Sequence, residues 1–459
     1  MNSRSPWAWV PTLYFFEGIP YFLVNVVSVT LFKRLGMDNA SLAALTSLLY
    51  LPWVIKPLWS PLVDIYKTKR WWILTMQAAL TLSFAVLALS LPHSVGRPVS
   101  AFVPSLIIFY IAAMLSATHD IAADGFYMLS LSEHHQSLFV GIRSTFYRIS
   151  SVFGQGVIVV VAGLLETRYD NIPKAWSYTL LGSSFLLLLL SVWHFFALPR
   201  KEDVMVHADG SAVKREGLEE NSIGKDVKSS CRDVKSDDSD ANLYKSAGKS
   251  FGDAFGSFFR KPGILLAMLF LLFFRLPEAF CVKMLTPFML DPVSVGGLGL
   301  STTQSGLVYG TIGVIALTIG GISGGIFASR VGLRKALWPM ALSLALPCAV
   351  YLYMAIVQPA QIWVVYLCVS FDQFGYGFGF TSYLLYMIYF SEGEYKTSHY
   401  AICTAFMALS MMVPGFFAGW LQSALGYVGF FVLVMICCLA TITLTALLVP
   451  HIRPDYGKK

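Results

Sequence analysis

Twelve long apolar stretches constrain this chain more than any other feature of its 459-residue sequence. Each is about 20 residues or longer, the length that an α-helix needs to cross a bilayer core about 30 Å thick. They lie at about 8–32, 41–63, 71–92, 101–127, 137–165, 176–198, 262–290, 303–328, 336–357, 361–390, 399–423 and 427–449. Continuous apolar stretches differ from the weak alternations of about ten residues in a transmembrane β-barrel. The sequence therefore predicts an all-α membrane protein with twelve transmembrane helices.

The composition agrees with a membrane protein and argues against several other classes. Hydrophobic residues make up 56% of the chain and charged residues only 13%, whereas soluble domains are about 25% charged. This excludes a soluble enzyme, and it excludes a nucleic-acid-binding protein although the net charge is +7. The seven cysteines lie in apolar stretches or in a polar linker, without metal-ligand spacing. We expect no disulfide, no metal site, no cofactor and no catalytic residue.

A polar segment divides the chain into two parts. Residues 200–261 contain 12 of the 26 acidic residues and 12 of the 33 basic residues, which is typical of a solvated linker. The last part of this segment carries phenylalanines at helical spacing, which suits a short helix at the membrane surface. We therefore predict an N-terminal six-helix bundle at 1–199, a cytoplasmic linker at 200–261 and a C-terminal six-helix bundle at 262–459.

The Lys and Arg residues between the apolar stretches predict the orientation of the chain. With the N-terminus in the cytoplasm, 23 of them lie on the cytoplasmic side and five on the opposite side. Those five are Lys33, Arg34, Arg97, Arg168 and Lys174. The first apolar stretch is too long for a signal peptide and is followed by no cleavage site. We expect a multi-pass protein with both termini in the cytoplasm.

Ten charged residues lie inside the apolar stretches, five acids and five bases. They are Glu17, Lys56, Asp120, Asp124, Arg143, Arg148, Arg275, Glu278, Lys283 and Asp372. A charge inside a membrane span is costly, so each should face a cavity or a partner. Helices 3, 6, 8, 9, 11 and 12 contain none of them. The confinement to six helices indicates paired groups around a water-filled site.

The intramembrane charges are candidates for two different roles. Arg275 is the first candidate for binding an anionic group, because a planar guanidinium can hold a carboxylate with two hydrogen bonds. The other predicted solute-binding residues are Arg148, Lys56, Glu17 and Lys283. A carboxylate that changes its protonation can couple proton entry to solute movement. The candidates for that role are Asp124, Asp120, Glu278 and Asp372.

Asp120 and Asp124 are four residues apart and share one face of their helix. Because two acids on one face repel each other, one of them should hold a proton, and we rank Asp124 first and Glu278 second. The alternative is a static lattice of ion pairs that ties helices 4 and 5 together through Arg143 and Arg148. The sequence leaves both interpretations open.

Two similar charged segments end the second helix of each predicted half. Residues 60–70 read Ser-Pro-Leu-Val-Asp-Ile-Tyr-Lys-Thr-Lys-Arg, and residues 325–335 read Gly-Ile-Phe-Ala-Ser-Arg-Val-Gly-Leu-Arg-Lys, at an offset of 265. They resemble the G-x-x-x-D-R-x-G-R-K loop of the major facilitator superfamily, with Ser329 where the acid is expected. The resemblance implies two six-helix halves with helices 1, 4, 7 and 10 around a central cavity. The gating residues that it implies are Asp64, Lys69, Arg70, Arg330, Arg334 and Lys335.

Further motifs are similar to one branch of that superfamily, the AmpG-like muropeptide permeases and the related acetyl-CoA transporters. They include Lys56-Pro-Leu-Trp-Ser-Pro-Leu-Val-Asp64, Ser116-Ala-Thr-His-Asp120-Ile-Ala-Ala-Asp124, Arg275-Leu-Pro-Glu278 and Phe371-Asp372. The resemblance implies proton-driven import of cell-wall recycling products, anhydromuropeptides or their sugars, across the bacterial inner membrane. The residues that it places on charged positions of the family pattern are Lys56, Asp120, Asp124, Arg148, Glu278 and Asp372. His119 stands where the family usually has Gln.

Other functions fit parts of the same sequence. Within transport, the solute could be another anionic metabolite, such as an acyl-CoA or a phosphorylated sugar. From other classes, a membrane sensor that binds ligand without moving it is one alternative, and a membrane-bound acyltransferase is another. The latter is suggested by the H-x-x-x-x-D spacing of His119 and Asp124. The repeated gating segment and the lack of a nucleotide-binding motif favour a carrier of a small solute and protons in the lipid bilayer, with no obligate protein partner.

Overall fold

Long helices form almost all of the structure, a computed structural model of the chain. It describes residues 5–91, 95–96, 98–131, 133–200, 204–206, 212–214, 252–253, 255–393, 395–454 and 456. Among these residues, ten helices are long and apolar enough to cross a membrane. One of the ten, Ser398–His451, holds two spans that meet at Gly426, whose φ of 67° and ψ of 176° are not helical. The 29-residue helix Ile362–Phe390 is not one of the ten, but it also reaches the length of a span.

In the described part of the chain, the helices form twelve long units, six before and six after the polar segment. We call each unit, whether one helix or two in sequence, a rod. In the first half they are α1 Pro6–Arg34, α2 Asn39–Leu48 with Leu51–Ile65, α3 Lys69–Ser90, α4 Val103–Ser130, α5 Glu133–Val152 with Val159–Tyr169, and α6 Ile172–Ala197. In the second half they are α7 Ile264–Phe273 with Leu276–Leu290, α8 Thr302–Val331, α9 Leu333–Val357, α10 Ile362–Phe390, α11 396–425 and α12 427–448. This arrangement confirms the predicted all-α membrane fold.

Hydrogen bonds between rod ends define the two ends of the molecule. Trp193 Nε1, near the end of α6, donates to Ala8 O at the start of α1. The backbone N–H of Leu333, at the start of α9, donates to Tyr456 O in the C-terminal segment. The end of α6 therefore lies beside the start of α1, and the start of α9 lies beside the C-terminal segment. We call the end at which α1 starts and α6 ends the proximal end, and the end at which α1 and α7 meet through Lys33 and Asp291 the distal end.

Most of the predicted linker 200–261 lies outside the described residues. Within it, strands β1 Val204–Val206 and β2 Ala212–Lys214 pair in an antiparallel ladder. Residues 255–259 are helical, and Phe258 is fully buried with its ring 5.6 Å from that of Phe390. The phenylalanines at 255, 258 and 259 thus lie in a helical turn, and Phe258 packs this turn against the C-terminal half. The boundaries of the N-terminal bundle, the linker and the C-terminal bundle remain predictions.

The two halves have nearly separate apolar cores. Phe16, Phe84 and Trp176 belong to one cluster of the N-terminal half, whereas Phe288 and Phe431 belong to a cluster of the C-terminal half. Among the described residues, Ala43 of α2 is the one member of that second cluster from the N-terminal half. Because each half buries its own apolar side chains, the seam between the halves is left for polar groups and small residues.

Glycines bring the two halves into backbone contact along this seam. A Cβ atom at Gly310 of α8 would lie 2.0 Å from Gln155 O of α5, and a Cβ at Gly419 of α11 would lie 2.0 Å from Asn39 O of α2. No side chain fits at either distance, so both positions require glycine for close helix packing. The seam is therefore held by the pairs α5–α8 and α2–α11.

Three rods are irregular where the halves meet. Each contains a π-helical segment, Leu23–Val27 in α1, Phe153–Ile158 in α5 and Gly306–Gly313 in α8. The α5 segment contacts the segments of both other rods. In addition, α7 is interrupted between Phe273 and Leu276. Irregular backbone of this kind inside a membrane is tolerated where protein or a cavity surrounds it, and π-turns are frequent at functional sites.

Candidate functional site

Both aspartates of α4 face a base on a neighbouring helix. Arg143 Nη2 of α5 lies 2.9 Å from Asp124 Oδ1, and the Tyr14 hydroxyl of α1 donates a hydrogen bond to the same oxygen at 3.1 Å. Lys56 Nζ of α2 lies 3.8 Å from Asp120 Oδ2. Because side chains four residues apart on a helix lie one turn apart on one face, the two ion pairs are neighbours.

Glu17 of α1 lies beside these two ion pairs. It is only 8% exposed, and its Oε2 atom has no hydrogen-bond partner among the described residues. One turn before it, Tyr14 donates to Asp124, and one turn after it, the ring of Tyr21 packs against Trp53, which donates to Asp120. The ion pairs of those two aspartates with Arg143 and Lys56 therefore lie beside Glu17. We call Glu17 and these two ion pairs the Glu17 cluster. It contains three carboxylates but only two bases.

Arg275 and Glu278 form a bidentate ion pair in the middle of α7. Arg275 Nε and Nη2 donate to the two carboxylate oxygens, each at 2.7 Å. Nη2 also donates to the Tyr376 hydroxyl of α10 at 3.1 Å, and the guanidinium lies 4.4 Å from the ring centre of Phe380. The arginine is 4% exposed and the glutamate 5% exposed. The guanidinium group that the sequence predicts to bind the solute is thus already bound to a carboxylate of the same helix.

Asp372 of α10 and Arg148 of α5 have no oppositely charged partner among the described residues. The Tyr351 hydroxyl of α9 and the Gln373 amide donate hydrogen bonds to Asp372 at 2.6 and 3.0 Å. Arg148 points toward α8, since a Cβ atom at Gly321 would lie 3.2 Å from its Nη2. Asp372 is therefore satisfied by neutral donors, whereas the charge of Arg148 is uncompensated.

Lys283 of α7 lines a small buried cavity at the seam between the halves. The cavity is bounded by α1, α2, α7, α8 and α11, and its lining includes Asn25, Tyr50 and Tyr309. Lys283 is 6% exposed and donates a hydrogen bond to Thr46 Oγ1 of α2 at 3.0 Å. No carboxylate lies within ion-pairing distance of its ammonium group among the described residues. The charge of this lysine is therefore uncompensated as well.

Unsatisfied polar atoms surround Lys283. Asn25 Oδ1 and Ser47 Oγ are buried without a hydrogen-bond partner in the described part of the chain. Gly415 of α11 leaves room for this arrangement, because a Cβ atom there would lie 2.6 Å from Ser47 Oγ and 3.1 Å from Lys283 Cε. An ammonium group has three donors, of which Thr46 uses one. Among the described residues, the Lys283 cavity therefore presents two ammonium donors and two unbonded oxygen atoms to a small polar group.

The predicted gating residues lie at the proximal end. Lys69 Nζ donates to Val63 O at 3.1 Å and Arg70 Nη2 donates to Phe195 O at 2.7 Å, both within the N-terminal half. The bases of the second gating segment are exposed or half-buried, namely Arg330, Arg334 and Lys335. The side chain of Asp64 lies outside the described residues. The gating role of this set stays a prediction.

Sequence reasoning missed two polar clusters that join the halves at the distal end. In the Asp291 cluster, Asp291 at the end of α7 lies 2.5 Å from Lys33 Nζ of α1. It also accepts hydrogen bonds from Asn39 Nδ2 at 3.0 Å and from the Tyr427 hydroxyl at 2.6 Å. Asn39 in turn donates to Gln422 Oε1 at 2.9 Å. The start of α2 is thus tied to the ends of α7 and α11.

The second cluster, the Glu166 cluster, is built around a carboxylate near the end of α5. Arg34 of α1 binds Glu166 at 2.9 Å, and Trp176 Nε1 of α6 donates to it at 2.7 Å. The Thr302 hydroxyl, at the start of α8 in the other half, donates at 2.7 Å. The adjacent bases Lys33 and Arg34 were a signal for both clusters, because they lie on the side where Lys and Arg are few.

We expect Thr302→Val to weaken the closure of the distal end. The substitution removes the hydrogen bond of the Glu166 cluster that crosses between the halves, while keeping the side-chain shape. A hydrogen bond to a charged group contributes about 1.5–3 kcal/mol, so the open distal population should increase about tenfold or more. Spin labels on Asp170 and Val295, exposed distal positions in different halves, should report longer distances by pulsed EPR in a cysteine-free variant.

The matched control for that experiment is Trp176→Phe. This change removes a hydrogen bond of the same length, 2.7 Å, to the same carboxylate, but within the N-terminal half. It should leave the distance between the labels nearly unchanged. Identical distance distributions for the two variants would contradict a role of Thr302 in holding the halves together.

Comparison with known proteins agrees with this architecture. Residues 12–398 match the family model described as Major Facilitator Superfamily. The chain is 22% identical over 428 residues to the anhydromuropeptide permease of Escherichia coli K12, covering 91% of this chain and 74% of that protein. It is 24% identical to the putative transporter AmpG 4 of Rickettsia felis, covering 92% and 91%.

Solved structures show the same fold at low sequence identity. The crystal structure of a D-xylose-proton symporter aligns with a TM-score of 0.65 at 12% identity and covers 98% of each chain. That of the nucleoside transporter NupG aligns with a TM-score of 0.64 at 14% identity and covers 97% of this chain and 99% of that one. With two helical halves around a charged seam and a family match over most of its length, the chain belongs to the Major Facilitator Superfamily.

Proposed function

We propose that the protein is a proton-coupled secondary transporter that imports anhydromuropeptides or their sugars across the bacterial inner membrane. The names of two relatives support this, an anhydromuropeptide permease and a putative AmpG transporter. The distribution of Lys and Arg supports cytoplasmic termini. In that orientation the distal end faces the periplasm and the proximal end faces the cytoplasm.

The observation that carries this proposal is the presence of two bases in the seam, Lys283 and Arg148, whose charges no carboxylate compensates in the part of the chain that the structure describes. An uncompensated charge inside a membrane protein is costly and is retained for a functional reason. An anhydromuropeptide carries carboxylates on its peptide and hydroxyl and amide groups on its sugars. Lys283, with Asn25 and Ser47 beside it, offers donors and acceptors for such a solute.

This assignment changes the predicted order of the solute-binding residues. Arg275 was the first candidate, but its guanidinium already binds Glu278 with two hydrogen bonds. Lys56 is the partner of Asp120 at 3.8 Å, a separation that a competing anion can open. We therefore place Lys283 first and Arg148 second, with Lys56 as a base that the solute can recruit.

The polar clusters are compatible with a carrier that opens to one side at a time. The Asp291 and Glu166 clusters close the distal end. Toward the proximal end, the side chains of Asp124 and Arg143 are 39% and 30% exposed. A solute in the seam would thus leave to the cytoplasm from this conformation. Import requires the distal clusters to open and close in each cycle.

Uptake into proteoliposomes tests the proposed function. We expect labelled anhydromuropeptide to accumulate when an inwardly directed proton gradient is imposed, and a protonophore should abolish this accumulation. Labelled acyl-CoA and a labelled phosphorylated sugar are tested in parallel, since a carrier of another anionic metabolite is the second candidate. Accumulation of one of these solutes in place of the muropeptide would reject the substrate, and accumulation that needs ATP would reject secondary transport.

A further inference from the structure

We propose that Glu17 holds the exchangeable proton of the transport cycle. The inference rests on the proposed proton coupling and names the residue that carries the proton. It differs from the prediction made from the sequence, which ranks Asp124 first and Glu278 second. The reason for the difference is the pairing of charges in the folded chain.

A carboxylate that gains and loses a proton in each cycle cannot be the permanent partner of an arginine. Asp124 lies 2.9 Å from Arg143 and accepts a further hydrogen bond from Tyr14. Glu278 receives two hydrogen bonds of 2.7 Å from Arg275. Each of these two acids is therefore already bound to an arginine, a base that does not lose its proton.

Glu17 differs from those acids in its surroundings. It is 8% exposed, and no donor among the described residues binds its Oε2 atom. Asp120 also has a buried oxygen, Oδ1, without a donor among these residues, but its Oδ2 accepts from Trp53 and faces Lys56. In the Glu17 cluster, Lys56 pairs with Asp120 and Arg143 pairs with Asp124. If Glu17 were ionised as well, the cluster would carry one uncompensated negative charge in a buried site. A proton on Glu17 makes the cluster neutral.

The groups that face Glu17 come from four helices. They are Tyr14 on α1, Lys56 on α2, Asp120 and Asp124 on α4, and Arg143 and Tyr147 on α5. Apart from the two bases, every group in this set is an acid or a phenol. The environment as a whole therefore opposes a third negative charge and favours a bound proton.

The same geometry couples the proton to the solute. Lys56 and Asp120 are 3.8 Å apart, which is a loose ion pair, and Trp53 Nε1 also donates to that aspartate at 2.9 Å. An anionic solute that recruits Lys56 removes one of the two positive charges from the cluster. Solute binding then favours the protonated cluster, and release of the solute favours release of the proton. This reciprocity is what a symporter requires.

Glu392→Gln is the matched control, because it makes the same chemical change at an acid outside the seam. Glu392 lies between α10 and α11, its side chain is 43% exposed, and it pairs with Arg453. We expect this variant to transport as the wild-type protein does.

The test compares Glu17→Gln with Glu392→Gln in proteoliposomes, using labelled anhydromuropeptide. Glu17→Gln should lose uphill accumulation driven by a proton gradient but retain exchange of labelled for unlabelled solute. In detergent, the wild-type protein should take up a proton from a weakly buffered solution when the solute binds, and Glu17→Gln should not. Glu392→Gln should keep uphill accumulation and proton uptake.

Three results would overturn the assignment of Glu17. They are uphill accumulation by Glu17→Gln, loss of exchange in a folded Glu17→Gln protein, and proton uptake by Glu17→Gln equal to that of Glu392→Gln. If Glu17→Gln does not fold, Glu17→Asp is the second variant. It keeps a carboxylate at an altered depth and should shift the pH dependence of accumulation, so an unchanged pH profile would also reject the assignment. Protonophore-resistant accumulation by the wild-type protein would instead reject proton coupling itself.

Discussion

Replacing Arg275 by Met while Glu278 is retained should destabilise the folded protein by about 3–5 kcal/mol, because it leaves a buried carboxylate without its partner. Glu278 is 5% exposed and loses both of its 2.7 Å hydrogen bonds in this variant. The buried cysteines provide the measurement, since Cys281, Cys348, Cys403 and Cys438 react with a thiol-specific dye once the protein unfolds. The temperature at which the dye signal rises should decrease markedly.

The double variant Arg275→Met/Glu278→Gln is the control. It removes both charges together, and replacing a buried ion pair by neutral groups is often nearly neutral for stability. We therefore expect most of the lost stability to return. The same variant separates a structural role from solute binding, because it should still bind anhydromuropeptide if Arg275 serves mainly to neutralise Glu278. Equal unfolding temperatures of the single and double variants would show that the pair contributes little.

Replacing Lys283 by Gln should lower the affinity for an anionic solute about tenfold or more. The substitution removes the charge from a side chain that donates to Thr46 and has two unused donors, and a hydrogen bond between charged groups contributes about 1.5–3 kcal/mol. Since no carboxylate pairs with Lys283 among the described residues, its removal leaves no orphaned acid. Binding of labelled anhydromuropeptide to the purified protein is the measurement, with the unfolding temperature as a check on folding.

A pair of glycine substitutions tests the Lys283 cavity without changing any charge. Gly415→Ala adds a Cβ atom 2.6 Å from Ser47 Oγ and 3.1 Å from Lys283 Cε, so it should displace both and weaken solute binding. Gly325→Ala makes the same chemical change on α8, where a Cβ atom meets nothing within 4 Å. We expect wild-type binding from the second variant. Equal affinities for both variants would place the solute elsewhere in the seam.

The sequence predicted the fold because the membrane imposes a simple length rule. A span needs about 20 apolar residues, and every backbone hydrogen bond must be satisfied within it, so continuous apolar stretches are read as helices. The spans at 361–390 and 399–423 show the strength of this rule, because the structure has α10 and α11 there within a few residues. The kink at Gly426 also falls between two predicted stretches.

The sequence predicted which charged residues belong to the site better than it predicted which of them form ion pairs. The free-energy cost of a charge inside a membrane span was enough to identify a set of candidate residues. It includes Glu17, Lys56, Asp120, Asp124 and Lys283, and all of these lie at the seam or beside it. Which base faces which acid depends on the rotation and depth of each helix. Arg143 reaches Asp124 whereas Arg148, five residues later, points toward α8 at Gly321. No local pattern in α5 distinguishes the two arginines.

By itself, the sequence determined the helices, their grouping into two halves and the set of charged residues that lie inside the membrane spans. These follow from free-energy costs that each residue pays separately, namely the burial of apolar area and the desolvation of charge. The tertiary structure alone decided that Arg275 binds Glu278, that Lys283 has no carboxylate partner among the described residues and that Asp291 and Glu166 close the distal end. The two distal clusters depend on distances of a few ångströms between side chains more than a hundred residues apart in the sequence. The Arg275–Glu278 pair depends on the interruption of α7. Only the packing of the helices defines these features.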